Sequence, residues 1–140
     1  MNSYKSTRHS KYLLNYHFVW IPKYRKKILS NPRIKHIVEE TIIELGKKHH
    51  FELLNLSVLP DHIHAFISSR PKNAPSWIIN IIKSVTGHRI AEKFPHLKKK
   101  GSIWTRAYFV SSAGNVSSET IQKYIQEQEK QNETNESISS

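Results

Sequence analysis

The amino-acid sequence predicts one α+β domain in which helices cover one face of an antiparallel sheet. Segments with apolar residues at helical spacing alternate with segments typical of strands. The chain has 140 residues, a length that suits a single domain with one core. Hydrophobic residues make up 37% of the chain and charged residues 24%, so a globular fold is expected.

The predicted elements follow the order βαββαβ, with one further helix at the end. In chain order they are a strand over 11–21, a helix over 32–48, a strand over 51–59, a strand over 62–67, a helix from 75 to before 95, a strand over 102–112 and a helix from about 117. Asn31 before Pro32 gives the first helix a capping side chain and a preset φ angle. In the first strand, one face carries Leu13 and Val19, and the other carries Tyr12, Leu14, Tyr16, Phe18 and Trp20.

This order of elements is the split βαβ arrangement of ferredoxin-like folds. Two helices would cover one face of the sheet, and the other face would be free for function. Residues 1–130 form the predicted domain, which the C-terminal helix closes. Residues 131–140 are polar, acidic and poor in apolar side chains, and we expect them to form a disordered tail.

The formal net charge of +11 is the strongest compositional signal. A basic excess of this size predicts a polyanionic partner, most commonly nucleic acid. The sequence has no apolar run near the ~18 residues of a membrane span, so we expect a cytoplasmic protein without a membrane partner. It has no cysteine, which excludes thiolate metal sites. Candidate contacts to nucleic acid are Lys23, Tyr24, Arg25, Lys26, Lys83, Arg89, Lys98, Lys99 and Lys100.

Two histidines, His62 and His64, open the strand that follows the turn Pro60-Asp61. Side chains two apart in a strand share a face at about 7 Å, so both imidazoles can converge on one divalent ion. For so short a motif taken alone, a pair of structural histidines is the better interpretation. Asp61 fits two roles equally well, as a partner that orients His62 and as a turn residue.

Tyr124 and Gln128 lie four residues apart in the last predicted helix and therefore share one face. If this face docks beside the histidine strand, Gln128 offers an oxygen ligand and Tyr124 places a phenol next to the ion. Taken alone, a surface tyrosine and a surface glutamine are the better interpretation. The presence of the histidine pair and the tyrosine–glutamine pair in one chain favours the interpretation that both belong to a functional site.

Four sequence blocks occur together and in order: VWIPKYR over 19–25, LPDHIH over 59–64, WTRAYFVSSAG over 104–114 and IQKYIQEQ over 121–128. In this combination the chain, from about residue 11 to 128, resembles the single-tyrosine HUH transposases of the smallest insertion sequences. The resemblance implies dimers that cleave and rejoin single-stranded DNA at hairpins, with active sites shared between subunits. It also implies that His62, His64 and Gln128 hold Mg²⁺ or Mn²⁺ and that Tyr124 is the nucleophile.

The chemistry that these residues permit is cleavage of a phosphodiester. Attack by a phenol gives a phosphotyrosine, and this covalent intermediate keeps the bond energy for rejoining. We predict that the tyrosine is joined to the 5′ phosphate and that the other piece has a free 3′ hydroxyl. A cation polarises the phosphate. Two imidazoles and one amide oxygen form a neutral ligand set, so the ion keeps its charge for the phosphate.

Three other interpretations are open. A non-catalytic, single-stranded nucleic-acid-binding module on the same scaffold would need exposed aromatic side chains where this chain has histidines. A histidine-based nucleotide hydrolase would need a third histidine at the position of Phe66. A degenerate relative would have lost site residues, and all four are present. A nick that requires a divalent ion and occurs in single-stranded but not duplex DNA separates these interpretations.

Overall fold

The computed structural model describes residues 14–98, 101–112 and 123–127. Its elements are β1 (Leu14–Trp20), α1 (Pro32–His49), β2 (Phe51–Leu59), β3 (His62–Ser69), α2 (Pro75–Lys93) and β4 (Phe109–Ser112). Residues 123–127 are helical, as the prediction of a C-terminal helix requires. Gln128, Lys99, Lys100 and the predicted tail lie outside the described residues. The predicted order βαββαβ is confirmed.

The four strands form one antiparallel sheet in the order β2-β3-β1-β4. This is the strand order of a ferredoxin-like fold, as predicted. The helices cover the face that carries Phe18, Trp20, Ile63 and Ile67, all of them fully buried. Within the part of the chain that is described, no helix is long and apolar enough to cross a membrane.

Helix α1 begins and ends where its local sequence predicts. The Asn31 side chain accepts a hydrogen bond from the Arg33 backbone N–H at 2.9 Å, and Pro32 is the first helical residue. The helix ends at His49, and its C-cap residue His50 has a left-handed φ of 65°. A Cβ at Gly46 would lie 2.4 Å from the Phe51 carbonyl oxygen, so the close packing of α1 on β2 requires glycine.

The prediction of a strand over 102–112 is wrong for its first seven residues, 102–108. Strand β4 covers Phe109–Ser112 alone. The Lys83 ammonium group of α2 donates hydrogen bonds to the carbonyl oxygens of Thr105, Arg106 and Ala107 at 2.7, 3.0 and 3.0 Å. Three consecutive carbonyls that converge on one group cannot alternate as strand carbonyls do. The alternating side chains of this segment therefore did not identify its backbone conformation.

Candidate active site

The histidine strand lies in the middle of the sheet, and its register shows which side chains share its face. His64 pairs with Val19 of β1, and Val19 pairs with Phe109 of β4. Directly paired residues point to the same side of a sheet. The face opposite the two helices therefore carries His62, His64 and Phe66 from β3, with His17 and Val19 from β1 and Phe109 from β4. Val19 is fully buried, so this face is covered in part.

His62 is held by an acidic side chain. Asp61 Oδ1 lies 3.1 Å from His62 Nδ1, and Asp61 Oδ2 accepts a hydrogen bond from Arg25 Nε at 2.5 Å. Burial acts to raise the pKa of Asp61, but the hydrogen bonds and charges of His62 and Arg25 outweigh it and lower the pKa below its usual value. An ionised carboxylate only accepts, so His62 Nδ1 carries the hydrogen. Its Nε2 lone pair is left for a metal ion, the geometry that an orienting role of Asp61 requires.

Arg25 reaches Asp61 from an unusual backbone conformation. Tyr24 and Arg25 have φ angles of 59° and 53°, in the left-handed region that few residues other than glycine adopt. Backbone hydrogen bonds from Lys23 N–H to Ile103 O and from Arg25 N–H to the Pro22 carbonyl, both 2.9 Å, hold the turn. Strain of this kind persists only where the surroundings enforce it. Arg25, a predicted DNA contact, thus also holds Asp61, a role that its charge did not indicate.

His64 is held by a second imidazole, which the sequence analysis missed. His17 Nδ1 lies 2.9 Å from His64 Nε2, and the His17 ring stacks on Phe66 with centroids 4.5 Å apart. Burial lowers the pKa of His64, and the neighbouring imidazoles of His17 and His62 lower it further. The signal for His17 was present in the sequence, because strand alternation places it on the same face as Val19.

Tyr124 lies on the histidine face, beside β4 of its own chain. Its ring centroid is 5.7 Å from the ring centroid of Phe109. Phe109 pairs with Val19, which pairs with His64, so the Cα atoms of Phe109 and His64 are about 10 Å apart across two strand spacings. The phenol oxygen is buried and has no hydrogen-bond partner among the described residues. Burial raises the pKa of Tyr124. The phenol therefore keeps its proton in this conformation and would have to lose it before attack.

The described residues supply two of the three predicted metal ligands. His62 and His64 share one face of β3, as predicted. Within residues 14–98, 101–112 and 123–127, no three histidine, cysteine, aspartate or glutamate side chains form a group that could hold a metal ion. Gln128 lies outside the described residues and stays a prediction.

Two of the predicted DNA contacts are engaged within the protein. Lys83 holds the three carbonyls of the 105–107 segment, and burial lowers its pKa to about 8. Arg89 donates to Glu44 Oε1 at 2.5 Å and to Thr41 Oγ1 at 3.2 Å, which joins α2 to α1. These contacts give both residues structural roles, and their contact with DNA stays a prediction.

Two further basic candidates, Lys23 and Lys26, line one cavity. Its volume is about 150 Å³, and Lys23, Tyr24 and Lys26 line it together with His96 and Ser102. Lys26 is exposed, as is Lys98 at the end of the turn Pro95–Lys98. The positive charge of these lysines suits contact with a DNA backbone.

The ferredoxin-like sheet and its site define a class of protein. The chain is an α+β protein whose catalytic candidates, two histidines and one tyrosine, lie on the sheet face opposite the helices. A family model described as "Transposase IS200 like" matches residues 10–128. The chain therefore belongs to the IS200-like transposase family, and it is an enzyme of DNA transposition and recombination.

Individual relatives agree with the family. The ISDra2 transposase TnpA of Deinococcus radiodurans is 28% identical over 120 residues, which cover 84% of this chain and 85% of that protein. A crystal structure of a D. radiodurans protein assigned as a transposase matches with a TM-score of 0.72 at 29% identity, covering 84% of this chain and 92% of that one. The REP-associated tyrosine transposase bound to a REP hairpin matches with a TM-score of 0.57 at 19% identity, over 74% of this chain and 58% of that one, which shows a common fold.

Proposed function

We propose that this transposase cleaves and rejoins single-stranded DNA at the ends of an insertion sequence, with Tyr124 as the nucleophile and a divalent ion, Mg²⁺ or Mn²⁺, as cofactor. One observation carries the proposal. His62, His64 and Tyr124 come from two distant parts of the chain and lie on one face of the sheet. Gln128, one helical turn after Tyr124, is the proposed third ligand of the ion.

The covalent step transfers a phosphoryl group to the tyrosine. The Tyr124 oxygen bonds to phosphorus while the bond from phosphorus to the 3′ oxygen breaks, which leaves a 5′-phosphotyrosine and, after protonation, a 3′ hydroxyl. The reverse attack by a 3′ hydroxyl rejoins the strand and releases the phenol. Because burial favours the protonated phenol, the step requires a change at Tyr124 that exposes its hydroxyl or removes its proton.

The residues around His62 fit a metal ligand. Asp61 and Arg25 fix the ring with its Nε2 lone pair available, and second partners of this kind are the rule for metal-binding histidines. When bound, a divalent ion would polarise the scissile phosphate and stabilise the charge that develops during transfer. His62 and His64 are both neutral ligands in this role, so they leave the charge of the ion undiminished.

We propose that the substrate is a DNA hairpin and that the active form is a homodimer with shared active sites. The REP-associated relative was solved with a REP hairpin, and the net charge of +11 suits a polyanion. A two-fold pair of subunits is the commonest assembly and gives two equal sites. We expect the protein to act in the cytoplasm, with the chromosomal DNA.

The test is a cleavage assay on a single-stranded oligonucleotide with a hairpin, with its duplex as control. The wild-type protein should nick the single strand only when Mg²⁺ or Mn²⁺ is added, and mass spectrometry should find the DNA adduct on Tyr124. Tyr124→Phe should bind the hairpin and form no adduct. An adduct on another tyrosine would refute the nucleophile. Hairpin binding without any cleavage would favour the non-catalytic binding module.

A further inference from the structure

The contact between His17 and His64 joins two neighbouring strands across the candidate active site. Their ring nitrogens, His17 Nδ1 and His64 Nε2, are 2.9 Å apart, the ordinary length of a hydrogen bond that involves N–H. The ring centroids are 5.1 Å apart with an interplanar angle of 31°. Neither the ligand set proposed above nor the nucleophile uses His17.

We propose that His17 is a positioning residue of the ion site, which holds the His64 ring through this hydrogen bond. The inference rests on the proposed function, because it assumes that His64 binds the ion. Between two neutral imidazoles, one nitrogen carries the hydrogen and the other accepts it. The only nitrogen of His64 left for the ion is then Nδ1, so His64 Nε2 must carry the hydrogen and donate it to His17 Nδ1. In that arrangement the bond fixes both the rotation of the His64 ring and its tautomer.

His17 is itself well placed to act as a fixed partner. It pairs with Phe66 in the register of β1 and β3, and its ring stacks on the Phe66 ring at a 22° interplanar angle. Register and stacking together hold the His17 ring, so its nitrogen is a stable reference for His64. An imidazole on a flexible loop would lose more conformational entropy to provide the same contact.

Each histidine of β3 is thereby held at one ring nitrogen, which leaves Nε2 of His62 and Nδ1 of His64 for an ion. Asp61 contacts His62 at Nδ1 from the preceding turn, and His17 contacts His64 at Nε2 from the neighbouring strand. Loss of a group that orients a ligand typically weakens metal binding by about 10- to 100-fold. We expect an effect of this size from His17, although it need not touch the ion.

The experiment measures Mn²⁺ affinity without DNA, by electron paramagnetic resonance of the free ion, so it does not depend on cleavage. His17→Phe keeps an aromatic ring against Phe66 and removes the nitrogen, and it should weaken Mn²⁺ binding about 10- to 100-fold. His17→Asn restores a short hydrogen-bonding side chain and should bind within a few fold of wild type. Ser57→Ala is the control, because Ser57 of β2 pairs with His64 on the side away from β1.

Two results would overturn the proposal. One is Mn²⁺ binding by His17→Phe as tight as wild type or tighter, which would mean that the ion breaks the pair. The other is His17→Asn as weak as His17→Phe, which would exclude a hydrogen-bonding role. The variant His64→Ala distinguishes a failure of the His17 proposal from a failure of the metal role of His64. If His64→Ala binds Mn²⁺ normally, the metal role of His64 in the proposed function fails, whereas a defect in His64→Ala alone leaves that role intact.

A measurement on the wild-type protein covers the case in which His17→Phe does not fold, which thermal unfolding in EDTA would reveal. With ¹⁵N-labelled histidine, nuclear magnetic resonance detects scalar coupling across an N–H···N hydrogen bond. Coupling between His17 and His64 should be present without the ion and should persist when Mg²⁺ saturates the site. Loss of the coupling on Mg²⁺ binding would overturn the positioning role.

Discussion

Replacing Tyr124 by phenylalanine should stabilise the protein in the absence of metal and DNA, although it removes the proposed nucleophile. The phenol oxygen is buried and has no hydrogen-bond partner among the described residues. Phenylalanine keeps the contact with Phe109, whose ring centroid is 5.7 Å away, and removes the polar group that has lost its water. A buried hydroxyl without a partner costs about 1 to 3 kcal/mol. We therefore expect Tyr124→Phe to raise the free energy of unfolding by about 1 to 2 kcal/mol.

The same burial predicts how the difference depends on pH. Because burial raises the pKa of Tyr124 above the value near 10.0 of an exposed tyrosine, the folded protein keeps the phenol proton where the unfolded chain loses it. The contribution to stability is therefore full below the unfolded pKa and is lost as pH rises above it, by up to about 1.4 kcal/mol per pH unit. Tyr124→Phe lacks this decline, so the excess of its free energy of unfolding over that of the wild type should grow above pH ~10.

Urea unfolding at fixed protein concentration, at neutral pH and above pH ~10, measures both effects. In a domain of this size the neutral-pH gain corresponds to a rise in Tm of about 3 to 5 °C per kcal/mol. Tyr108→Phe is the control, because Tyr108 is half-buried and its hydroxyl is not among the buried, unpaired groups. Equal or lower stability of Tyr124→Phe would show that the hydroxyl has a partner, outside the described residues or in a second subunit.

Other contacts of the fold and the site lead to three expected outcomes. Lys83→Met should lower the free energy of unfolding by about 2 to 3 kcal/mol, since three carbonyls lose their donor, and a hairpin titration of the folded variant should give wild-type affinity. Reduced hairpin affinity of this variant would show that Lys83 contacts DNA. Arg25→Gln should weaken Mn²⁺ binding about tenfold through Asp61 and change hairpin affinity less; the opposite order would make Arg25 a DNA contact. Mixing inactive His64→Ala and Tyr124→Phe chains should restore nicking at up to about half the sites of a mixed dimer, and no recovery despite demonstrated subunit exchange would place Tyr124 in the site of its own chain.

The parts of the fold that the sequence predicted well depend on local signals. Asn31 and Pro32 mark the start of α1 through contacts within one turn, and helical spacing extends the prediction to its end. The shared face of His62 and His64 follows from strand alternation alone. Such features need no knowledge of the neighbouring elements, so sequence reasoning reaches them.

The features that sequence reasoning did not anticipate have a common physical origin in contacts between distant parts of the chain. The 102–108 segment alternates like a strand, but Lys83 of α2 gathers its carbonyls. The partner of Arg89 is Glu44 on the other helix, which its charge could not reveal. His17 was visible on the correct face of β1, but its contact with His64 exists because β1 and β3 are neighbours in one register. Strand order and register are tertiary properties, and a single sequence does not state them.

The site also shows why two histidines in a strand are a weak motif by themselves. Each imidazole of β3 has a separate partner that the motif does not contain, Asp61 for His62 and His17 for His64. Without such partners an imidazole rotates and can present either nitrogen, and the affinity for an ion falls accordingly. Asp61 in turn contacts Arg25, whose left-handed backbone is enforced by the surrounding turn. An ion site built on His62 and His64 would therefore depend on the packing of three chain segments, and other sequences with two such histidines should bind metal only where equivalent partners are present.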